Sequence, residues 1–137
     1  KDKGLYFRKG AILIDQEYRA LDFFSSSRHF IRSKKRVNIF NKFLDECRSE
    51  EIQVILFLSP IQQVAYKDLS GVDDSFVLID SLATAGNIPV LDYTDYMIDD
   101  SSLFLDPAHL NKKGAELFSV RLANDVDSLL KKLNIEL

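Results

Sequence analysis

The chain holds 137 residues, 46% hydrophobic and 28% charged, and its 18 basic and 21 acidic side chains leave a net charge of −3. One soluble globular domain of that size buries a core without disulfide or metal staples, and its overall field does not attract polyanions, which sets nucleic acid aside as a partner. The longest apolar run, residues 54–58, falls far short of the roughly 20 residues that span a bilayer, so no membrane insertion by this segment is expected.

No basic stretch followed by an apolar one opens the chain, and it starts at Lys1 without an initiator Met. It therefore reads as part of a longer protein. Residues 5–14 alternate around Lys9-Gly10 and predict a hairpin. The serines 25–27 follow two aromatics and read as a cap or loop. The basic cluster from Arg28 to Arg36 reads as a solvated helix entrance.

Over residues 35–48 the positions Val37, Phe40, Leu44 and Cys47 recur at helical spacing and predict one buried face. Cys47, the only cysteine, falls on that face and reads as a core residue, and a single cysteine excludes an internal disulfide. Residues 52–58 are continuously apolar apart from Gln53 and rich in β-branched side chains, the pattern of a parallel strand covered on both faces. A short helix over 61–69 follows, then a longer one to about residue 85, capped by Asp73 or Asp74 and stopped by Gly86. Residues 88–91 predict a second buried strand, with Pro89 near its start and Asp92 at its end. The longest helix spans 111–133, with Ala115, Phe118, Leu122, Val126, Leu129 and Leu133 on one stripe. Helix, strand, helix, strand, helix is the order of an α/β domain, residues 1–137 as one unit, with a parallel sheet between helix layers.

Ligands of open α/β sheets bind beyond the carboxyl ends of the strands, which directs attention to Ser59, to Asp92 and to the approach to the last helix. That approach reads Asp106-Pro107-Ala108-His109. A carboxylate three residues before a histidine, turned back by Pro107, can take the imidazole Nδ1–H, fix the tautomer and stabilise the imidazolium formed when Nε2 accepts a proton. The pair is expected to open toward Ser59 and Asp92. A second account of the same residues makes Asp106 the helix N-cap, Pro107 its first residue and His109 a solvated turn residue.

The wider string, Asp106-x-x-His109-Leu110-Asn111-x-x-Gly114-Ala115 before a C-terminal amphipathic helix, resembles the last sequence block of the SGNH (GDSL-type) hydrolase superfamily. In that family the block supplies the triad Asp and His, so the resemblance implies that Asp106 and His109 are catalytic. Residues 54–60 and 88–92 are similar to the family's later strands, and the likeness runs over about residues 35–133. It implies a flavodoxin-like three-layer α/β/α fold, incomplete at its N-terminus, and acyl-ester chemistry on a small-molecule or carbohydrate ester without a cofactor. The closer similarity is to membrane-associated, acyltransferase-like members acting on cell-surface polymers, which implies an extracytoplasmic site.

The family's nucleophile turn, a Gly-x-Ser after the first strand, is not legible. Ser25-Ser26-Ser27 lacks the glycine and Ser59-Pro60 reads as strand punctuation, so the nucleophile is expected upstream of Lys1. The five glycines form neither a dinucleotide fingerprint nor a P-loop. Asp106 and His109 lack a third ligand for a metal, since His29 lies far off beside Phe30. Tyr93 and Tyr96 line a groove or cover the sheet edge. The rival to the esterase or acyltransferase is a non-catalytic α/β interaction module or pseudoenzyme that keeps the Asp-x-x-His turn only as a helix cap.

Overall fold

The computed structural model of the chain describes residues 5–8, 11–14, 28–29, 33–67 and 69–134, with side chains described over 33–65, 71 and 73–134. Two compact units divide it, one of residues 1–21 with 99–137 and one of residues 22–98. The first unit opens with β1 (Leu5–Arg8) and β2 (Ala11–Ile14), paired antiparallel with Leu5 opposite Ile14 and Arg8 opposite Ala11. This is the hairpin the alternation predicts; its turn, Lys9-Gly10, lies outside the described residues.

In the second unit the basic cluster is divided between two elements. Arg28–His29 form β3, while Lys34, Lys35 and Arg36 stand exposed at the start of α1 (Lys34–Ser49). Ser33 caps α1 by accepting from the Arg36 N–H, and Leu44 and Cys47 are buried as the helical spacing predicts. The helix closes in a Schellman turn: Glu51 is left-handed at φ 57°, and the Ile52 N–H reaches back to the Cys47 carbonyl at 2.8 Å.

The following strand is shorter than its apolar run. β4 covers only Leu56–Leu58, paired parallel with β6 (Val90–Asp92) in the register Leu56 to Val90 and Leu58 to Asp92. Its ladder is bounded by the Leu56 N–H donating to Pro89 O and the Tyr93 N–H donating to Leu58 O. Pro89 has no N–H to extend the pairing upstream. Burial on both faces is not found either, for Phe57 is 48% and Ile52 57% exposed. A long apolar run specifies extended backbone only where a partner strand offers hydrogen bonds.

Between these strands lie α2 (Gln63–Lys67), after a fully buried Pro60, then β5 (Leu69–Ser70), parallel to β3, and α3 (Val72–Gly86). The helix predicted over 61–69 is thus cut short by β5. Neither Asp73 nor Asp74 caps α3. Gly71 takes the N-cap in a left-handed conformation, φ 79°, with no side-chain bond, and the two aspartates lie in the first turn, where the helix dipole favours them. At the other end Gly86 stays helical and Asn87 is the left-handed residue, φ 52°, with the Ile88 N–H bonded to Ala83 O at 2.8 Å. Asparagine tolerates this conformation because its short side chain bonds locally. Phe76 and Ile79 are half-buried and Ala83 is buried, in keeping with the predicted inner face.

The remainder of the first unit begins with a 3-10 turn, Ser101–Leu103, which runs into β7 (Phe104–Asp106), β8 (His109–Leu110) and α4 (Lys112–Lys132). The backbone of α4 passes beside β2, the 3-10 turn and β8. Phe104 is fully buried, and Leu103, Gly114, Phe118 and Leu130 are buried with it. Truncating a phenylalanine so placed costs about 3–5 kcal/mol. The predicted stripe holds at Phe118 and is half-buried at Leu122, Val126 and Leu129, but Leu133 is 45% exposed past the helix end. The architecture is mixed α/β, with the described strands in two-stranded pairs, β3 with β5 and β4 with β6 parallel. No helix among the described residues is long and apolar enough to cross a membrane.

Candidate functional site

The segment 104–111 is a tight hairpin, not the first turn of a helix. β7 and β8 pair antiparallel, Phe104 opposite Leu110 and Asp106 opposite His109, so Leu105 is an extra residue on the first strand. A bulge of this kind bends the strand and re-aims the side chains beside it. Pro107 and Ala108 make the turn. The Asp106 carboxylate shapes it, since Oδ1 accepts the Ala108 N–H at 2.9 Å in an Asx turn.

The same carboxylate meets the imidazole across the turn. His109 Nδ1 lies 2.9 Å from Asp106 Oδ1 and 3.0 Å from Oδ2. An ionised carboxylate only accepts, so in a charge-assisted contact of this geometry Nδ1 is the donor. Burial divides the pair: the Asp106 side chain is 8% exposed and the His109 side chain 62%. The anchored member is the carboxylate and the accessible one is the ring, the order required of an orienting group and a base.

The α4 N-cap is Asn111 and not Asp106, so the account of Asp106-Pro107 as a helix start is corrected: Asp106 ends a strand and Pro107 occupies a hairpin turn. Asn111 has a larger part than its place in the sequence announces. Its Oδ1 accepts the Gly114 N–H at 3.0 Å, and its Nδ2 donates to Ser102 O at 2.7 Å and Phe104 O at 3.3 Å. Its own N–H donates to Leu103 O at 3.0 Å. Gly114 sits against the same turn: a Cβ there would fall within the van der Waals envelope of the Leu103 carbonyl oxygen. The legible signal for this arrangement was Asn followed three residues later by Gly at a helix start.

Other residues singled out from the sequence lie in the second unit or outside the described residues. Ser59 and Asp92 belong to the unit of residues 22–98. Ser59 is exposed, and Asp92 Oδ1 accepts the Thr94 N–H at 2.9 Å and the Thr94 hydroxyl at 2.7 Å. Tyr93 is buried and meets Tyr96 edge-on at 6.3 Å. Ser25-Ser26-Ser27 lie outside the described residues. Among the described residues no group of three or more His, Cys, Asp or Glu side chains is arranged to hold a metal ion. Comparison of the chain with protein-family models, with curated proteins and with solved structures returns no match.

Proposed function

We propose that the chain is the carboxyl-terminal part of an SGNH-type esterase or O-acyltransferase in which His109 is the general base and acid and Asp106 its orienting carboxylate. The observation that carries this reading is the contact of the Nδ1 edge with both oxygens of a buried carboxylate, at 2.9 and 3.0 Å, on a ring that is itself accessible. A serine Oγ–H gives its proton to Nε2 as Oγ attacks the acyl carbonyl. Asp106 holds Nδ1–H and offsets the charge of the imidazolium. The proton then passes from Nε2 to the departing alkoxide, and water or an acceptor hydroxyl takes the acyl group by the reverse sequence. No cofactor is called for.

The nucleophile of this proposal is a serine upstream of Lys1, because no Gly-x-Ser turn is legible in the sequence. The parallel pair formed by β4 and β6 supports a place for these elements in a larger three-layer, flavodoxin-like sheet. The ester is that of a small molecule or of a carbohydrate on an extracytoplasmic polymer.

The test is turnover of p-nitrophenyl acetate by a longer protein that includes the upstream sequence. His109→Ala is expected to lower kcat by roughly 10²- to 10⁴-fold, the range of a general base, while the 137-residue chain alone turns over little or nothing. Indifference of the longer protein to His109→Ala would replace this reading by that of a non-catalytic interaction module.

A further inference from the structure

We infer that Asn111 is the positioning residue of the Asp106–His109 pair, acting through the register of the β7–β8 hairpin. This rests on the reading of that pair as orienter and base. An N-cap needs only a side-chain acceptor for the first helical N–H groups, and Oδ1 of Asn111 supplies it to Gly114. The amide nitrogen does something a cap does not require. It reaches out of the helix to two carbonyls, Ser102 O at 2.7 Å and Phe104 O at 3.3 Å, which flank the end of the 3-10 turn and the first residue of β7. With the Asn111 N–H on Leu103 O, three successive carbonyls, two before β7 and one on its first residue, are bonded to the residue that follows β8.

That clamp closes the loop containing Asp106 and His109 at its base. Asn111 is 9% exposed, and its bonds to Phe104 O and from the Gly114 N–H are buried, away from competing water, while the one to Ser102 O is part-buried. A bulged strand has a neighbouring register one residue away, and a slip of one residue turns every side chain to the opposite face. Here such a slip of β7 would carry Asp106 away from His109 Nδ1. Asn111 meets that hazard because it holds Ser102, Leu103 and Phe104 at fixed distances from the residue that follows β8.

The cap and clamp roles separate chemically. Asn111→Asp keeps an acceptor for the Gly114 N–H and adds a charge that the helix N-terminus favours. It loses both donors and sets a carboxylate oxygen against two carbonyl oxygens. Asn111→Ser also keeps the cap and loses the two side-chain bonds of the clamp, without the added charge, while the backbone N–H stays on Leu103 O.

The readout is the ring proton of His109 in the 137-residue chain, followed by ¹⁵N–¹H NMR of the imidazole at alkaline pH, with the signal assigned by its loss in His109→Gln. The unaltered chain is expected to hold the Nδ1–H tautomer. In Asn111→Asp and Asn111→Ser that form falls to the minor one, while the amide pattern of α4 stays that of a folded helix. Retention of the Nδ1–H form in both folded variants would overturn the proposal, leaving Asn111 a cap only. Unfolding of both variants would overturn it as well, by assigning Asn111 to stability. A loss of the tautomer in these variants beside an ester turnover of the longer protein that is unchanged by His109→Ala would refute the catalytic reading and leave the positioning one standing.

Discussion

Asp106 and His109 face one another across a two-residue turn, the carboxylate anchored by the Ala108 N–H and the ring held by Nδ1 at 2.9 Å. Because the turn is closed by the same oxygen that takes the imidazole, the carboxylate has a structural task and a chemical one. Asp106→Ala removes both. The expected outcome is a shift of His109 to the Nε2–H tautomer, read by ¹⁵N NMR, and a fall in stability of about 1–3 kcal/mol in urea, the range for hydrogen bonds to a charged group. A variant that keeps the Nδ1–H form would show that Asp106 does not orient the ring.

Two glycines placed in helices are expected to respond oppositely to alanine. At Gly114 the new methyl meets the Leu103 carbonyl oxygen, a backbone atom that cannot swing aside, so Gly114→Ala should cost about 1–3 kcal/mol. At Gly86 the nearest atom is Ile88 Cδ1 at 2.9 Å, the end of a flexible side chain. There the helix preference of alanine, about 0.5–1 kcal/mol, offsets the crowding. Urea midpoints of the two variants decide it, and equal losses would sink the distinction.

Asp100 sets a local acid response. The Ser102 hydroxyl, and after it the Ser102 N–H, donate to its carboxylate at 2.6 and 3.0 Å and hold the group below its ordinary value of 3.8. The bonded form is the ionised one, so its contribution to the 3-10 turn is complete above 3.8 and is lost as pH falls through the lowered folded value. The Ser102 amide resonance should therefore titrate with a midpoint below 3.8, and Asp100→Asn should abolish that step. A midpoint above the ordinary value would contradict the arrangement.

Glu51 is held at φ 57° between α1 and the approach to β4, a conformation in which a side chain is crowded by its own carbonyl. Glu51→Gly should stabilise the chain by up to about 1 kcal/mol, the relief exceeding the entropy glycine loses on folding. Thermal melting checks it. Asn87→Gly, at φ 52° in the equivalent turn after α3, should gain less, because asparagine already tolerates the region.

Much of the site was local enough to be read from residue order. Asp106 and His109 are three apart, and a turn between them brings carboxylate and imidazole together whatever the rest of the chain does. The helices α1, α3 and α4 were legible from their periodicity, and the burial of Cys47 with them, because side chains 3.6 residues per turn apart share one face. The parallel pairing of residues near 56 with residues near 90 followed from two apolar runs separated by a helix.

Tertiary structure decided what depends on partners distant in sequence. Residues 52–55 are as apolar as a strand requires, yet only Leu56–Leu58 pair, because the opposing chain presents a proline at residue 89. The order Asp106-Pro107 allows two accounts, a carboxylate turned back onto His109 and a helix start, and only the antiparallel pairing of β7 with β8 excludes the second. The helix is capped by Asn111, where its periodicity predicts the start, but residue order does not show that the Asn111 amide reaches Ser102 and Phe104, nine and seven residues back. Residue order alone determined which groups can meet across a turn. Which backbone groups lacked a partner, and therefore where strands stop and caps fall, was settled only when distant segments supplied or withheld their hydrogen bonds.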